Sequence, residues 1–304
     1  MLGKLNSLQG IVVAIKANYF LVKMNTPLVG FLDDSLANQE ELKLLCTLRR
    51  SLLHRGCYVN VGDLVHVESI DWNLRTGVVF SLEPRKNLLS RPPVANVTHV
   101  FVLLSILSPN FDFEQASRFL LTAEQSLLNV SVIITKKDLV DSKYVNDHIE
   151  RLKNWGYKSL AVSVKTGQGL DILMNQITST QLAVFCGPSG VGKSSLLNYF
   201  LPNQSIPIGD LSVKLQRGKN KTRHVELYSL AKDTFVADTP GFNRPDIKIK
   251  PNKLYYLFPE IRRQLKLSKC KFRDCLHRDE PGCSVDKKWE RYIQYRQLLD
   301  EMIT

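Results

Sequence analysis

No stretch of this chain is apolar for long enough to cross a bilayer. The longest run, residues 100–107, is interrupted by Ser105, whereas a spanning helix needs about 20 apolar residues. The opening Met1-Leu2-Gly3-Lys4-Leu5 has no apolar signal segment. Both absences argue for a soluble cytoplasmic protein with no membrane partner. Cysteine is scarce, six in 304 residues, and in a reducing compartment six do not make a disulfide framework. Acid is short as well: 41 Lys and Arg against 29 Asp and Glu leave +12 and a pI near 9.4. The imbalance points to a polyanionic partner, nucleic acid first, although a solvated lysine-rich surface also accounts for it.

The most specific feature present is Gly187-Pro188-Ser189-Gly190-Val191-Gly192-Lys193-Ser194-Ser195. It fits the G-x-x-x-x-G-K-[ST] phosphate loop, with an apolar strand-like run before it and a helix-like run after it. The glycines let backbone N–H groups turn inward, Lys193 brings a point charge to the outer phosphates, and Ser194 offers a hydroxyl to Mg²⁺. A plain glycine-rich turn would not need Lys-Ser after the last glycine. The loop leaves adenine and guanine open.

Ahead of the loop, residues 10–15, 19–24, 29–32, 63–68 and 77–82 read as about five short strands, which suits an OB-type β-barrel over residues 1–84 and so an RNA binder. The basic segment from Arg49 to Arg55 is either an RNA-facing loop or a solvated connection. Residues 83–93, polar and proline-marked, read as a linker. Strands and helices then alternate, with strands at 99–105, 130–134 and 159–162 and helices at 113–128, 144–155 and 169–177, implying a parallel sheet. The second of these strands ends in Thr135-Lys136-Lys137-Asp138. A carboxylate there can accept two hydrogen bonds from guanine, which adenine cannot offer together. In GTPases the motif is usually Asn-Lys-x-Asp, and Thr135 stands where the Asn would be. Ser163-Val164-Lys165 resembles the GTPase Ser-Ala-Lys loop that meets the guanine.

Beyond the phosphate loop, residues 214–223 hold five bases and no acid, with Thr222 as a candidate switch threonine. Residues 224–228 and 233–237 read as a strand pair ending in Asp238-Thr239-Pro240-Gly241, an Asp-x-x-Gly whose carboxylate helps to hold Mg²⁺ and whose glycine N–H can meet the γ-phosphate. The base-reading motifs therefore precede the phosphate motifs, the reverse of a conventional GTPase. That order describes a circularly permuted P-loop GTPase domain over residues 85–245. Residues 246–304 are basic, 14 Lys and Arg against 9 Asp and Glu, and contain Cys270-x4-Cys275-x-His277-x5-Cys283. Three thiolates and an imidazole suit one structural Zn²⁺ per chain. The tail at 286–303 reads as a helix packing through Trp289, Ile293 and Leu298.

A barrel, a permuted GTPase and this Cys/His module, in that order, resemble the RsgA family of small-ribosomal-subunit biogenesis GTPases over essentially the whole chain, as does Arg91-Pro92-Pro93-Val94-Ala95-Asn96-Val97. The resemblance implies a multidomain α/β protein that hydrolyses GTP to GDP with Mg²⁺. It also implies coupling to late maturation of the small subunit, contacts to its rRNA, and one Zn²⁺ in a mostly helical tail; a monomer is expected. It further implies that Lys193, Thr222, Asp238 and Gly241 serve the reaction. The chain departs from the family at Asn220, where the switch segment usually carries His, and Phe242 occupies the place of the water-orienting Gln of Ras-like enzymes. Slow intrinsic turnover is expected. A zinc-containing RNA-binding protein that uses GTP only as a structural ligand, and a P-loop kinase or ATPase, are the rival readings.

Overall fold

The computed structural model describes residues 7–25, 42–90, 93–202, 225–238 and 247–303, except for the side chains of residues 90 and 238. These residues fall into two compact units, one drawn from 1–98, 178–184 and 210–242, the other from 99–177, 185–209 and 243–304.

Side chains of a strand alternate between faces, and in the first unit that alternation closes a barrel. β1 (Leu8–Lys16) turns at Ala17-Asn18 into β2 (Tyr19–Met24), and β3 (Lys43–Leu48) follows. A short helix, α1 (Arg50–His54), precedes β4 (Leu64–Asp71) and β5 (Thr76–Leu82). β1 pairs with β2, β2 with β3, β3 runs parallel to β5, β5 pairs with β4, and β4 returns to β1. Val12, Val22, Leu44, Cys46, Val65, Val67 and Val79 fill the interior, each apolar side chain contributing about 1.5–3 kcal/mol. β3 was not among the expected strands, because its outward Leu45 is apolar and hides the period of two. The expected strand at 29–32 lies outside the described residues.

The linker reading of 83–93 needs correction. β6 (Leu88–Ser90) and β7 (Pro93–Ala95) form an antiparallel pair. Leu89, Val94 and Ala95 are buried, and Ala95 N donates to Val61 O at 2.8 Å. Proline is tolerated at the first residue of a short strand. Arg85 grips the fully buried Asp63 with two bonds, Nε to Oδ1 at 2.6 Å and Nη2 to Oδ2 at 2.8 Å. Arg85 and Ala95 thereby tie this stretch to residues 61–63.

In the second unit strands and helices alternate: β8 (His99–Ser105), α2 (Phe113–Glu124), β9 (Asn129–Thr135), α3 (Ser142–Trp155), β10 (Lys158–Ala161) and α4 (Leu170–Thr178). β9 lies between β8 and β10 and is parallel to both. Residues 100–104 and 132–134 are buried as continuous apolar runs, the pattern of strands covered on both faces. Asp112 caps α2 by accepting from Glu114 N and Gln115 N, and Asp141 caps α3 by accepting from Tyr144 N. β11 (Leu182–Cys186) leads to α5 (Lys193–Phe200). β12 (Glu226–Ala231) and β13 (Thr234–Asp238) form an antiparallel hairpin that belongs to the first unit.

The C-terminal part of the second unit holds a 3-10 segment (Pro251–Leu257), α6 (Pro259–Leu267) and α7 (Tyr292–Ile303). The last helix thus begins later than residue 286. Trp289 and Leu298 pack into a core with Leu254, Phe258, Ile261 and Tyr295, joined by Leu121 of α2. Ile293, expected there, is 69% exposed, because Tyr292, Tyr295 and Leu299 define the buried stripe and Ile293 points away from it. Arg291 is 1% exposed and forms a two-pronged pair with Glu260, at 2.8 and 2.7 Å, plus a bond to Ser117 Oγ at 3.2 Å. Among the described residues no helix is long and apolar enough to cross a membrane.

Candidate nucleotide and metal sites

The phosphate loop is built between the end of β11 and the start of α5, where the chain must turn with left-handed backbone at Gly187 (φ 140°), Gly190 (φ 78°) and Gly192 (φ 97°). Gly187 has a second constraint: a Cβ there would lie 2.1 Å from Leu103 O. Gly192, the residue before α5, has nothing within 4 Å of its would-be Cβ, leaving an open cradle before a helix N-terminus that suits an anion. Pro188 and Val191 are buried, Ser189 is exposed, and Lys193, Ser194 and Ser195 are half-buried in the first turn of α5. Lys193 Nζ donates to Gly187 O at 2.8 Å and Pro188 O at 2.7 Å, holding the ammonium over the loop. Burial raises the Cys186 thiol to about 12, so it is inert in spite of its place beside the loop.

The end of β9 comes to the same place. Thr135 is buried and donates to Val191 O at 2.6 Å, so the residue in the Asn position still ties its strand to the phosphate loop. Lys136, at φ 59°, donates to Gly190 O at 2.8 Å and to Ser108 O. Lys137 and Asp138 follow in a 3-10 turn, both half-buried. Ser163 is buried after β10 and donates its hydroxyl to Asp138 Oδ1 at 2.6 Å, while Val164 is half-buried and Lys165 exposed. Thr135 and Val191, 56 positions apart in sequence, thus stand side by side. Asp238 closes β13. Thr222 and Gly241, with Asn220, His224, Thr239, Pro240 and Phe242, lie outside the described residues.

A family model described as RsgA GTPase matches residues 82–248. The chain belongs to the RsgA GTPase family. A small ribosomal subunit biogenesis GTPase RsgA from Prochlorococcus marinus (strain MIT 9303) is 53% identical over 301 residues, covering 97% of this chain and 92% of the relative. Among solved structures, YjeQ from Thermotoga maritima is similar with a TM-score of 0.78 and 28% identity, covering 98% of this chain and 99% of that one. YloQ, described as a circularly permuted GTPase, is similar with a TM-score of 0.76 and 27% identity, covering 100% of this chain and 97% of that one. Members of this family are GTP-hydrolysing enzymes.

The tail of this family member brings Cys270, Cys275, His277 and Cys283 together, with one ligand atom from each lying within 4.8 Å of the others. His277 Nδ1 is 3.5 Å from Cys270 Sγ and 3.7 Å from Cys283 Sγ. A tetrahedron with the usual Zn–S and Zn–N lengths has S···N edges of about 3.6 Å, so the four residues fit a zinc ion. Burial holds the His277 imidazole below its ordinary value against the opposing pull of Glu280, favouring the neutral form that a metal ligand needs. Glu280, absent from the sequence reading, organises the loop: one oxygen accepts from Leu276 N at 2.9 Å and the other from Arg278 N at 2.8 Å, on either side of His277. Tyr295 adds a bond to Leu276 O at 2.6 Å. An acid three residues after the His was the available signal, but its partners are backbone groups that no spacing reveals.

Proposed function

We propose that this chain binds guanosine triphosphate across the phosphate loop and the Thr135–Asp138 turn and hydrolyses it to GDP and phosphate, in step with late maturation of the small ribosomal subunit. The observation that carries the reading is the bond between Thr135 Oγ1 and Val191 O at 2.6 Å, which joins a base-reading segment to a phosphate-binding one. In this reading Asp138 accepts from the guanine ring, oriented by Ser163, with Val164 and Lys165 lining the base. The amides of 187–195 hold the phosphates, and Lys193 turns from its own loop carbonyls to the charge spreading over the transferred phosphoryl group. Ser194 and Asp238 supply the hard oxygen ligands that suit Mg²⁺, which when bound neutralises phosphate charge. Thr222 and Gly241 report the γ-phosphate. Phe242 offers no polar atom to the attacking water, so intrinsic turnover is slow and the ribosomal partner raises it.

Residues 1–84 serve as an RNA-binding barrel, 85–245 as the permuted GTPase, and 246–304 as a module held by one Zn²⁺, with the flanking parts contacting rRNA. The net charge of +12 supports that partner, and the chain acts as a cytoplasmic monomer. The decisive assay measures phosphate release from GTP with purified small subunits, large subunits and neither. Stimulation by small subunits alone is expected; equal rates in all three would overturn the coupling.

A further inference from the structure

Glu226 lies between two residues from distant parts of the chain. On one side it pairs with Ala14 of β1, on the other with Asp238, the last residue of β13. Neighbouring strands lie about 4.8 Å apart, so the barrel's first strand runs only two strand spacings from the backbone of Asp238. β1 makes this contact by changing partner along one edge: residues Leu8, Gln9, Gly10 and Ile11 pair with β4, and Ala14 pairs with β12. A register shift between Val12 and Ala14 falls at the change, where a bulge bends a strand.

Lys23 adds a second tie. From β2 its Nζ donates to Ser229 Oγ of β12 at 2.6 Å and stands 5.0 Å from the centroid of the Phe235 ring of β13. Ser229 and Phe235 face each other across the hairpin, so one ammonium holds both of its strands to the barrel. β12 begins shortly after the basic segment 214–223, and β13 ends at the first residue of Asp-x-x-Gly. The same hairpin therefore connects the two stretches of sequence that respond to the γ-phosphate in the reading given above.

We infer that Lys23 is a positioning residue for GTP hydrolysis, fixing the β12–β13 hairpin and with it the backbone of Asp238 against the barrel, and that a load on the barrel reaches the end of β13 by this route. The inference rests on the assignment of Asp238 as a metal ligand. A change at Ala14 passes through paired backbone, and one at Lys23 through its bond to Ser229, to the hairpin that ends in Asp238.

The test uses the full chain and reads GTP turnover against Mg²⁺ concentration. Lys23→Met keeps an unbranched side chain of similar length and removes the ammonium from Ser229 and the Phe235 ring; Ser229→Ala removes the acceptor from the other side; Asp238→Asn is the reference. Lys23→Met is expected to raise the half-saturating Mg²⁺ concentration by about two- to thirtyfold, the span found for mutations between coupled sites, with little change in the urea midpoint. Ser229→Ala is expected to do the same, and the double variant to show no more than the larger single effect. A shifted Asp238→Asn beside unshifted Lys23→Met and Ser229→Ala overturns the inference alone. An unshifted Asp238→Asn overturns the metal assignment and the inference with it.

Discussion

Ser163 Oγ donates to Asp138 Oδ1 across 2.6 Å. Ser163 is itself fixed, since its N–H donates to Gln168 O at 3.0 Å and its own oxygen accepts from Thr166 N at 3.2 Å. The loop after β10 therefore holds one oxygen of the Asp138 carboxylate.

Asp138→Asn replaces a charge-assisted acceptor by an amide. Hydrogen bonds to charged groups contribute about 1.5–3 kcal/mol, so affinity for a fluorescent GDP analogue should fall roughly ten- to a hundredfold, with ATP competing better than it does against the parent. Unchanged affinity and unchanged discrimination would remove Asp138 from base recognition.

Thr135→Val keeps shape and deletes the proton donated to Val191 O. A buried group left without its partner costs about 1–3 kcal/mol, read as a lower urea midpoint together with faster nucleotide release. Thr135→Ser should restore both, because the hydroxyl returns; failure of serine to restore release would separate stability from nucleotide binding.

Glu280→Gln weakens the clasp around His277 while leaving all four ligands in place. Groups that orient metal ligands typically change affinity by about 10–100-fold. Competition with a chromogenic chelator should show zinc leaving the variant at correspondingly lower chelator concentration, and one zinc per chain in the parent.

Much of this was legible in the sequence for a definite reason. The phosphate loop and the Cys/His cluster are local: each is a run in which nearly every residue type is forced by its task, so spacing alone carries the message. The ends of β8 and β9 were readable because continuous apolar runs stop at a polar turn. What was not readable is long-range and made by side chains of no special type. Nothing near Arg291 announces Glu260, and nothing near Lys23 announces Ser229, because fold topology rather than spacing brings those partners together. Leu45 and Ile293 misled for the opposite reason, being apolar residues that face outward.

Arg291→Met should destabilise the second unit by about 3–5 kcal/mol, since it leaves the Glu260 carboxylate buried without its counter-charge. Replacing Glu260 by Gln in the same chain should recover part of the loss. Chemical denaturation followed by Trp fluorescence checks both, and an Arg291→Met variant as stable as the parent would show that the pair contributes nothing.

Stability should also depend on His99. Burial first, and the nearby Lys158 charge second, hold its imidazole below the ordinary 6.5, while the unfolded chain takes up a proton near that value. The unfolded form then binds more protons between the two pKa values, so this contribution is present above about pH 6.5 and is lost as the pH falls toward the folded value. His99→Gln should flatten the difference in urea midpoint between about pH 7.5 and about pH 5.5; an identical difference in parent and variant would assign the slope to other groups.

Leu121 sits on a helix of the α/β region, yet its side chain belongs to the cluster of Phe258, Tyr295 and Leu299. Arg262 reaches the same helix through Glu124 at 2.6 Å, and Trp155 Nε1 donates to Glu290 at 2.8 Å. A chimera that borrowed only the Cys/His-bearing tail of a relative would arrive without its socket. Tail and receiving surface have to be exchanged together, as one inheritance.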